Sequence, residues 1–570
     1  MANTWYVKSD ATGEADGTSW EDAFTTIAEA LDEATLGDGD IISIQAGTYA
    51  GSDDYVTGAN QDGKDISLEA HEGSVIWSID SGTESVIRDY SGRTSGTLSF
   101  TGITFQVTAT ASYGCLYLRN SNGSLTFTDC NFVNPSGSYG AFRCDAIAAS
   151  TRAYTFTHCT IQVPSGFGMY VRDVHGLTLD DCSFTSAADS GTAIYITTAS
   201  DAAYGDYSFT DVSVSGFDNA ILSASTFSIG NLTINGLTSS DLTGHAIYLG
   251  GVTASSVNIS NMDVTVGGVA IHLPNDMGRI DIRDNTFVKD AASSTGHTVN
   301  IGQDPNTTSP QTRGGVILNN TLTYLGSDGG VHAVFIGDDV NDLLISGNTI
   351  LCTGGYGLVI KGGKRNKVIG NTIAGNNPIH IKADADCNLF THNTCYCISQ
   401  ADSASPEGAV SLVGVAAPAS LWPKDNFFVH NILVAIGTVD DGTETYCICD
   451  RSAGSGAGYL GGDNVFDGNL YFAWGDAHLA SIEGSDVDSL AALQAAWSSY
   501  TTPDADGRAA LTTNDAKSLV ADPLFIDVSS YDLRVPFASP ARGAAQWINN
   551  ADIGALQRAE RFRRPRARRS

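Results

Sequence analysis

One short phrase recurs along most of this chain and limits its fold more than any other feature. The phrase is a pair of small or polar residues followed by a residue that is usually polar and then an apolar one. It reads GITF (102–105), DCNF (129–132), HCTI (158–161), DCSF (181–184), NMDV (261–264), DNTF (284–287), NNTL (319–322), GNTI (347–350), GNTI (370–373), HNTC (392–395), HNIL (430–433) and GNLY (468–471). Several intervals between phrases are 22 to 30 residues, and longer ones near 35 to 38 leave room for an insertion. Polar and apolar residues alternate between the phrases, which indicates short strands.

A unit of this length with three short strands cannot bury its apolar side alone, whereas stacked units share one continuous core. The repeat therefore predicts an all-β fold, a parallel β-helix solenoid. A β-propeller needs blades of about 40 residues with antiparallel strands. Hairpin turn signals in this sequence are too sparse for that alternative.

Asparagine occupies the second position of the phrase in the later repeats. Its side chain tolerates a left-handed turn conformation and can bond to the equivalent residue one coil away. We expect a ladder of asparagines at this turn, formed by Asn285, Asn320, Asn348, Asn371, Asn393, Asn431 and Asn469.

The two ends of the chain depart from the repeat. An amphipathic pattern predicts a helix from about Trp20 to Leu36, and DSLAALQAAWSSY (488–500) predicts a second helical segment. Solenoids need such elements to cover the open ends of the core. The predicted organisation is an N-terminal cap and first strands in residues 1–75, the parallel β-helix in 76–475, a C-terminal cap in 476–556 and a basic, Arg-rich tail in 557–570.

The terminal segments carry a family resemblance. WYVKSDATGEADGTSWEDAFTTIAEAL, followed by GDGDIISIQAGTY, resembles the N-terminal block of right-handed parallel β-helix proteins, and ADPLFID, SPARGAA and ADIGAL resemble their closing block. With the GNTI coils, the chain resembles the pectate-lyase-like superfamily, closest in character to phage and bacterial β-helix repeat proteins. The resemblance implies a right-handed solenoid. Its members include pectate and alginate lyases, hydrolases, bacterial surface proteins and phage tailspikes, so it leaves the function open.

The charge of the chain limits the kinds of partner that it can bind. The 570 residues include 30 Lys and Arg against 63 Asp and Glu, a net charge of −33, which argues against general nucleic-acid binding. The segment Arg558–Ser570 reverses the balance with seven Arg and one Glu, so it is either a solvated tail or a docking element for an acidic partner. The sequence has no apolar run of membrane-spanning length, and its first residues lack a standard secretory signal. If the protein works outside a cell, we expect it to leave by lysis, by an unusual exporter or on a virus particle.

The number and positions of the cysteines predict buried thiols and not disulfide bonds. Their number, eleven, is odd, and Cys130, Cys159 and Cys182 fall at one position of the repeat, where we expect them to stack as small buried residues. The pairs Cys395/Cys397 and Cys447/Cys449 are too constrained for an easy disulfide and too few for a zinc site.

An apolar–X–apolar strand precedes many of the phrases by twelve to fourteen residues. The middle residue should point outward, as should the residue two positions later. These positions predict an aromatic stripe beside a basic one, which is either a glycan groove or a subunit interface, or else ordinary cross-strand stacking. The aromatic positions are Tyr117, Tyr170, Tyr195, Tyr248, His272, Phe335 and His380, with Val359 among them, and the basic positions are Arg119, Arg172, Lys361 and Lys382.

Cations concentrate in one short region. Lys361, Lys364, Lys367 and Lys382 lie within 22 residues, with Arg365 and His380 among them and Asp384 and Asp386 just after. A uronate lyase needs a cation or Ca²⁺ to neutralise the carboxylate and a Lys, Arg or His base to remove the α-proton. The catalytic candidates are therefore Lys361, Arg365, His380, Lys382, Asp384 and Asp386. No Asp-rich calcium signature is evident, so no metal site and no cofactor is expected, with Ca²⁺ only weakly supported.

A glycoside hydrolase would instead need two carboxylates across a groove. Asp180/Asp181, Asp338/Asp339 and Asp384/Asp386 are the available pairs, although most such pairs in an acidic chain are solvated turns. Nucleotide-binding and zinc-hydrolase motifs are not found in the sequence.

These observations lead to two hypotheses about function, which belong to different classes. The first is a virion-associated structural or adhesion protein, a tailspike, fibre or capsid decoration, that presents a glycan-recognition face to the host surface. Its partners would be a polysaccharide or host glycan and other virion proteins, with the basic tail as the docking element, and it would be a homotrimer on the virion surface. The second is a polysaccharide-degrading enzyme, a uronate lyase or glycoside hydrolase, working outside the cell without a standard signal peptide.

Overall fold

Successive strands along the chain form coils that stack on one another. In this computed structural model the described residues are 2–33, 35–50, 62–80, 85–89, 95–108, 114–119, 123–134, 140–145, 152–198, 203–223, 225–290, 296–302, 312–326, 331–338, 340–398, 407–413, 423–437, 444–450, 464–482, 485–499, 514–544 and 553–554. The Arg-rich tail lies outside them. Two compact units divide the chain, Met1–Phe287 (unit 1) and Val288–Ser570 (unit 2).

Unit 1 is built from short strands that return to the same three sides of the coil. From β4 to β24, each strand pairs in parallel with the strand three further along, as β13 does with β16 and β14 with β17, whereas β1 pairs with β2, β2 with β3, and β3 with both β5 and β6. Because both partners run in the same direction, apolar side chains line up inside the coil and polar ones outside. The strands are β1 (Thr4–Val7), β2 (Ile41–Ala50), β3 (Ile66–Ile79), β4 (Ile87–Asp89), β5 (Thr97–Thr101), β6 (Ile103–Val107), β7 (Leu116–Arg119), β8 (Ser124–Thr128), β9 (Asn131–Val133), β10 (Phe142–Asp145), β11 (Ala153–Thr157), β12 (Thr160–Val163), β13 (Phe167–Arg172), β14 (Gly176–Asp180), β15 (Ser183–Ser186), β16 (Thr192–Thr197), β17 (Tyr207–Thr210), β18 (Ser213–Ser215), β19 (Asn219–Ser223), β20 (Phe227–Asn235), β21 (Thr238–Leu242), β22 (Ile247–Leu249), β23 (Val252–Ser260), β24 (Asp263–Val266), β25 (Ile271–Leu273) and β26 (Arg279–Arg283), and β27 (Thr286–Lys289) contains the boundary.

Unit 2 repeats the same plan. Its strands pair in parallel from coil to coil, and β44 with β45 is the antiparallel exception among the described pairings. The strands are β28 (Val299–Ile301), β29 (Arg313–Leu318), β30 (Thr321–Tyr324), β31 (His332–Ile336), β32 (Asn341–Ser346), β33 (Thr349–Lys361), β34 (Lys367–Ile369), β35 (Thr372–Lys382), β36 (Leu389–Thr391), β37 (Thr394–Ile398), β38 (Glu407–Val413), β39 (Phe427–Val429), β40 (Ile432–Ile436), β41 (Thr445–Asp450), β42 (Val465–Asp467), β43 (Leu470–Trp474), β44 (His478–Ile482), β45 (Ser485–Val487) and β46 (Leu519–Val520).

Stacks of identical residues one coil apart form part of the apolar core. In unit 1, the rings of Phe100, Phe127 and Phe156 stack at 5.0 and 4.8 Å. The thiols of Cys130, Cys159 and Cys182 are buried and unoxidised. Backbone bonds from Thr160 N to Cys130 O at 3.0 Å and from Ser183 N to Cys159 O at 2.9 Å place the three residues one coil apart, which confirms the predicted stacking. None of the eleven cysteines forms a disulfide bond.

The asparagine ladder is confirmed within unit 2. Asn348 donates its backbone N–H and its side-chain amide to Asn371 Oδ1 at 3.0 and 2.9 Å, and the pattern continues through Asn393 to Asn431 and Asn469. In unit 1, Asn285 accepts from Met262 N at 2.9 Å and donates to Ile259 O.

The left-handed turn residue, however, is not the asparagine. It is the residue before it, such as Gly370, His392 and His430 with φ of 66, 56 and 57°. The preceding residue makes the bend, so the asparagine side chain is free to turn into the coil, where it is buried.

The first predicted helix is shorter than expected. Helix α1 covers only Ile27–Asp32, and Thr26 and Glu29 form a capping box at its start. Before it, Phe24 forms a bridge with Val7 in place of a helical turn. The second predicted helix is confirmed as α2 (Leu490–Ser499), whose Trp497 ring stacks on Phe466 at 5.4 Å. Within the described residues, neither helix is long and apolar enough to cross a membrane.

Candidate functional site

Seven residues on the outer side of unit 1 form one column along the coils. They lie on β7, β10, β13, β16, β19, β22 and β25, and each pairs in register with the next. Six steps of about 4.8 Å give the column a length of roughly 29 Å. We call it the ring column, and its members are Tyr117, Arg143, Tyr170, Tyr195, Leu222, Tyr248 and His272.

One cation is stacked among the rings of this column. The Arg143 guanidinium lies 5.0 Å from the Tyr117 ring centre and 5.5 Å from that of Tyr170. Tyr170 is 5.5 Å from Tyr195, and Phe167 packs beside both. A guanidinium that lies between aromatic faces is held in place by those contacts, so this part of the column presents flat rings and a fixed cation together.

The far part of the column stacks closely. His245, Tyr248 and His272 form a stack with centre distances of 4.8 and 4.4 Å. Leu222 lies between Tyr195 and Tyr248 in register and divides the two ring groups.

Exposure differs along the column. Tyr117 is only 5% exposed, whereas Tyr170, Tyr195, Tyr248 and His272 are half-buried. The accessible part therefore runs from Arg143 to His272.

The basic stripe expected beside the rings is not continuous. Arg119 pairs in register with Asp145, and Asp145 with Arg172, so an acidic residue interrupts the two arginines. The side chain of Arg119 lies outside the described residues. Arg172 forms an ion pair with Asp173, in which Nε lies 3.8 Å from Oδ2.

The corresponding column of unit 2 is largely covered. Phe335, Val359, His380 and Ser411 are in register, and the first three are 6, 2 and 6% exposed. These positions do not form the exposed stripe that the alternation predicted, because a strand pattern gives the direction of a side chain but not what packs over it.

A second set of rings adjoins this column. His332 and Tyr356 are in register, with ring centres 4.7 Å apart, and Tyr356 is 4.7 Å from His380. Burial lowers the pKa of His332 to about 4, and the nearby Lys382 ammonium acts in the same direction. The ring is therefore neutral at pH 7, which makes it available as a hydrogen-bond acceptor but a weak base.

The structure divides the predicted cation cluster into three parts. Lys361 and Lys382 lie side by side in register at the ends of β33 and β35. Lys364 Nζ forms ion pairs with Asp384 Oδ2 at 3.0 Å and Asp386 Oδ2 at 3.4 Å. Arg365 forms a bidentate pair with Asp342 at 2.8 Å, and Lys367 lies exposed on β34.

The ion pairs decide which of these groups can act as a base. Burial opposes the charge of Lys364, but Asp384 and Asp386 together outweigh it and raise the pKa of the ammonium group. Burial raises the pKa of Asp386, while Lys364 acts against that rise. Lys364 therefore stays cationic, and a base for proton abstraction has to be sought at Lys361, Lys382 or a histidine.

Two carboxylates approach each other beside these lysines. A Cβ atom placed on Gly362 would lie 3.2 Å from Asp384 Oδ1 and closer still to Asp338 Oδ1. Asp339 lies outside the described residues, and Asp180 and Asp181 are exposed. No group of three or more His, Cys, Asp or Glu side chains suited to a metal ion occurs in the described part of the chain.

Sequence reasoning missed four residues of these sites. Arg143 and Leu222 occupy ring-column positions, but their strands carry Arg or Leu where the pattern sought an aromatic residue. His332 and Tyr356 lie two or three residues before the apolar–X–apolar strands. A search over the whole strand, rather than its middle residue, would have found them.

Comparisons with known proteins bear on the fold. Residues 91–289 match the family model described as the right-handed beta helix region. Solved structures similar to this chain include tailspike protein 3 of bacteriophage CBA120, with 12% identity, a TM-score of 0.28 and coverage of 82% of this chain and 57% of that one. This chain thus spans little more than half the length of that tailspike.

Two enzymes are among the similar structures. The A-module of a mannuronan C-5 epimerase from Azotobacter vinelandii has 10% identity and a TM-score of 0.23, with coverage of 87% of this chain and 94% of that one. A PL6 family polysaccharide lyase from Pseudopedobacter saltans has 13% identity and a TM-score of 0.23, with coverage of 93% and 97%. No curated protein sequence gives a significant match.

The family match and the stacked parallel coils agree with the resemblance found in the sequence. The family model indicates a right-handed coil over residues 91–289. The strand pairings show that the coils stack in parallel in each unit. Residues 91–289 therefore belong to a right-handed β-helix region, and the described strands of both units stack as the coils of a parallel β-helix.

Proposed function

We propose that this protein binds carbohydrate through the ring column of unit 1. The observation that carries the proposal is the stacked series of Tyr117, Arg143, Tyr170 and Tyr195, in which one fixed cation lies among flat rings at the repeat of the coil. Tyrosine rings pack against the apolar faces of sugars, and a guanidinium bonds carboxylate or sulfate in a fork. An extended glycan running along the coils would meet one side chain per coil.

The biological setting we propose is a virion surface. The chain would be a homotrimeric tailspike, fibre or capsid decoration that presents the ring column to the host, with Arg558–Ser570 bound to another virion protein. Eleven cysteines without a disulfide bond support assembly in a reducing compartment before release. The net charge of −33 supports a soluble, repelling surface rather than a nucleic-acid partner.

The test of carbohydrate binding uses two ring-column variants and one matched control. We expect Tyr170→Ser and Tyr195→Ser each to weaken binding to a responsive glycan by roughly tenfold, because each removes a stacking ring. Phe537→Ser removes a 95% exposed ring outside the column and should leave binding unchanged. A glycan array followed by calorimetry measures the effect.

A double variant of the ring column distinguishes a glycan groove from a subunit interface. The mass in solution, measured by light scattering, should not change in Tyr170→Ser combined with Tyr248→Ser. A smaller mass with unaltered glycan binding would assign the ring column to the interface. If neither the mass nor glycan binding changed, the ring column would be neither a glycan groove nor a subunit interface.

A second candidate function is polysaccharide degradation in unit 2. It is favoured by the juxtaposition of Lys361 and Lys382 with His332, His380 and the carboxylates around Gly362. In β-elimination a base takes the proton next to the uronate carboxylate, the C4–O bond breaks, and a C4=C5 double bond forms while the leaving oxygen is protonated. A lysine pair would neutralise the carboxylate.

Ultraviolet absorbance of unsaturated uronates tests this candidate across a panel of acidic polysaccharides. If it is correct, Lys382→Ala should abolish the signal, whereas Lys367→Ala, a control on the neighbouring strand, should retain it. New reducing ends without absorbance would indicate hydrolysis by the carboxylates instead. Absence of both products would exclude degradation of the polysaccharides tested.

A further inference from the structure

The outer side of the coils in unit 2 changes from polar to apolar along one column of residues in register. Thr321 and Thr349 are exposed near the start of this column. Ile432 and Leu470, further along the same column, are completely buried. Outward-facing positions of a solenoid are polar where they meet water, so an apolar stretch requires a second layer over it.

The last described part of the chain supplies that layer. Residues 514–544 with 553–554 are here called the C-terminal segment. Ile553 belongs to one apolar cluster with residues of β40 and β43, and Phe525 packs against that cluster. The Phe525 ring also lies 6.2 Å from that of Tyr396 on β37. The segment therefore runs back over the outer side of these strands and covers their apolar residues.

The side of the segment that faces away from the coils is apolar as well. Leu524 and Ile526 flank the inward-packed Phe525 and are exposed. Ile526 N donates to Arg534 O at 3.0 Å, which pairs this stretch with the one that leads to Phe537. We call these exposed side chains the outer apolar face, and its members, which are between 43 and 95% exposed, are Leu524, Ile526, Val528 and Phe537.

Exposed apolar side chains are concentrated in this part of the molecule. Eight large apolar side chains are exposed within the described residues, and five of them belong to the C-terminal segment. A sixth, Trp474, lies on β43, which pairs with β46 of the segment. Strands that are apolar on both sides are typical of sheets covered on both faces, and clustered exposed apolar side chains mark interaction sites.

The charges around the face indicate which partner covers it. The C-terminal segment has three basic residues and, apart from the buried Asp515, three acidic ones, and Arg534 forms a bidentate ion pair with Asp532. The whole chain has a net charge of −33, so two copies repel each other over most of their surface but least at this balanced face. A basic partner would instead be drawn to the acidic remainder of the molecule.

We propose that the outer apolar face packs against the same face of a second copy of this chain. A rotation axis beside the C-terminal segment brings the corresponding faces of all copies together. This contact rests on the homotrimer of the proposed function, for which it supplies the surface that joins the copies, and it leaves the ring column of unit 1 free for glycan.

Sedimentation of the full-length chain over a range of concentrations tests the proposal. We expect the unaltered protein to have a multiple of the single-chain mass. Ile526→Glu combined with Phe537→Glu should raise the dissociation constant by roughly a hundredfold or more, because burying carboxylates in an apolar contact between like charges is unfavourable. Both positions are exposed in one copy, so the variant should fold, and circular dichroism checks that it does.

A matched control replaces two other exposed apolar residues of unit 2. Leu325 and Phe427 are 56 and 46% exposed and lie outside the C-terminal segment, so Leu325→Glu combined with Phe427→Glu should keep the mass of the unaltered protein. Calorimetry with a responsive glycan should give the same affinity per chain in both double variants. A change in that affinity without a change in mass would count against the carbohydrate site and against this contact alike.

Three results would overturn the proposal. An unaltered protein with the single-chain mass would remove the homotrimer as well, while glycan binding by that single chain would leave the carbohydrate site standing. An oligomer that survives Ile526→Glu with Phe537→Glu would place the contact between copies elsewhere. A single chain that associates only when Arg558–Ser570 is deleted would show that its own tail covers the face.

Discussion

At the scale of single residues, the turn of each coil depends on two adjacent positions with different roles. The first takes the left-handed conformation, and the second sends its side chain inward to bond with the next coil. Asn371 shows how completely the second role is filled. Its Oδ1 accepts two bonds from Asn348, and its Nδ2 donates to Asn393 Oδ1 at 3.0 Å and Ile345 O at 2.9 Å.

We expect Asn371→Ala to lower the free energy of unfolding by roughly 2 kcal/mol or more, because it leaves several buried polar groups of two neighbouring coils unpaired. Chemical denaturation measures the change. Asn131→Ala, at an exposed position of unit 1, is the control and should cost under about 0.5 kcal/mol. Similar losses in the two variants would contradict the structural role given to the ladder.

A second ladder shows what sequence reasoning left out at this scale. Asn366, Asn388, Asn426 and Asn464 bond from coil to coil at a different corner, with Asn388 N donating to Asn426 Oδ1 at 2.9 Å. The signal was present, because each of these asparagines stands two residues before a buried apolar residue, such as Phe390, Phe428 or Phe466. The first ladder was predictable because its residue recurs within an obvious phrase.

At the scale of elements, each strand contributes one member to an apolar stack. Phe390, Phe428 and Phe466 on β36, β39 and β42 stack at 4.6 and 4.5 Å, and Trp497 of α2 continues the series. The helix therefore packs on the last coil by extending a column that the strands began. Sequence periodicity predicted the helix but not which of its residues would meet the core.

Phe428→Ala should lower the free energy of unfolding by about 3–5 kcal/mol, since it opens a cavity between two stacked rings. The adjacent Phe427 provides a matched control because it is 46% exposed on the same strand. Phe427→Ala should cost about 1 kcal/mol or less. Equal shifts in the denaturation midpoints would show that the ring stack does not carry the stability of β39.

At the scale of the whole molecule, the fold was predictable and the sites only in part. The length of a coil and the alternation within a strand follow from the spacing of apolar and polar residues along the chain, which can be read directly from the sequence. Accessibility depends on what packs over a strand, and for this reason the predicted stripe is half-buried at Tyr170 but covered at Phe335. Likewise, the lysine cluster was visible as composition, while its division into ion pairs with Asp384, Asp386 and Asp342 required three dimensions.

The in-register pairing of one coil with the next also gives the ring column of unit 1 a natural unit of length. Each coil contacts mainly its two neighbours, so gaining or losing a whole coil would change the column by one step of about 4.8 Å and leave the other steps as they are. Duplication or deletion of a coil would thus lengthen or shorten the proposed glycan-binding column in whole increments. The coil repeat of the backbone therefore fixes the spacing of the column, and each coil contributes one side chain to it.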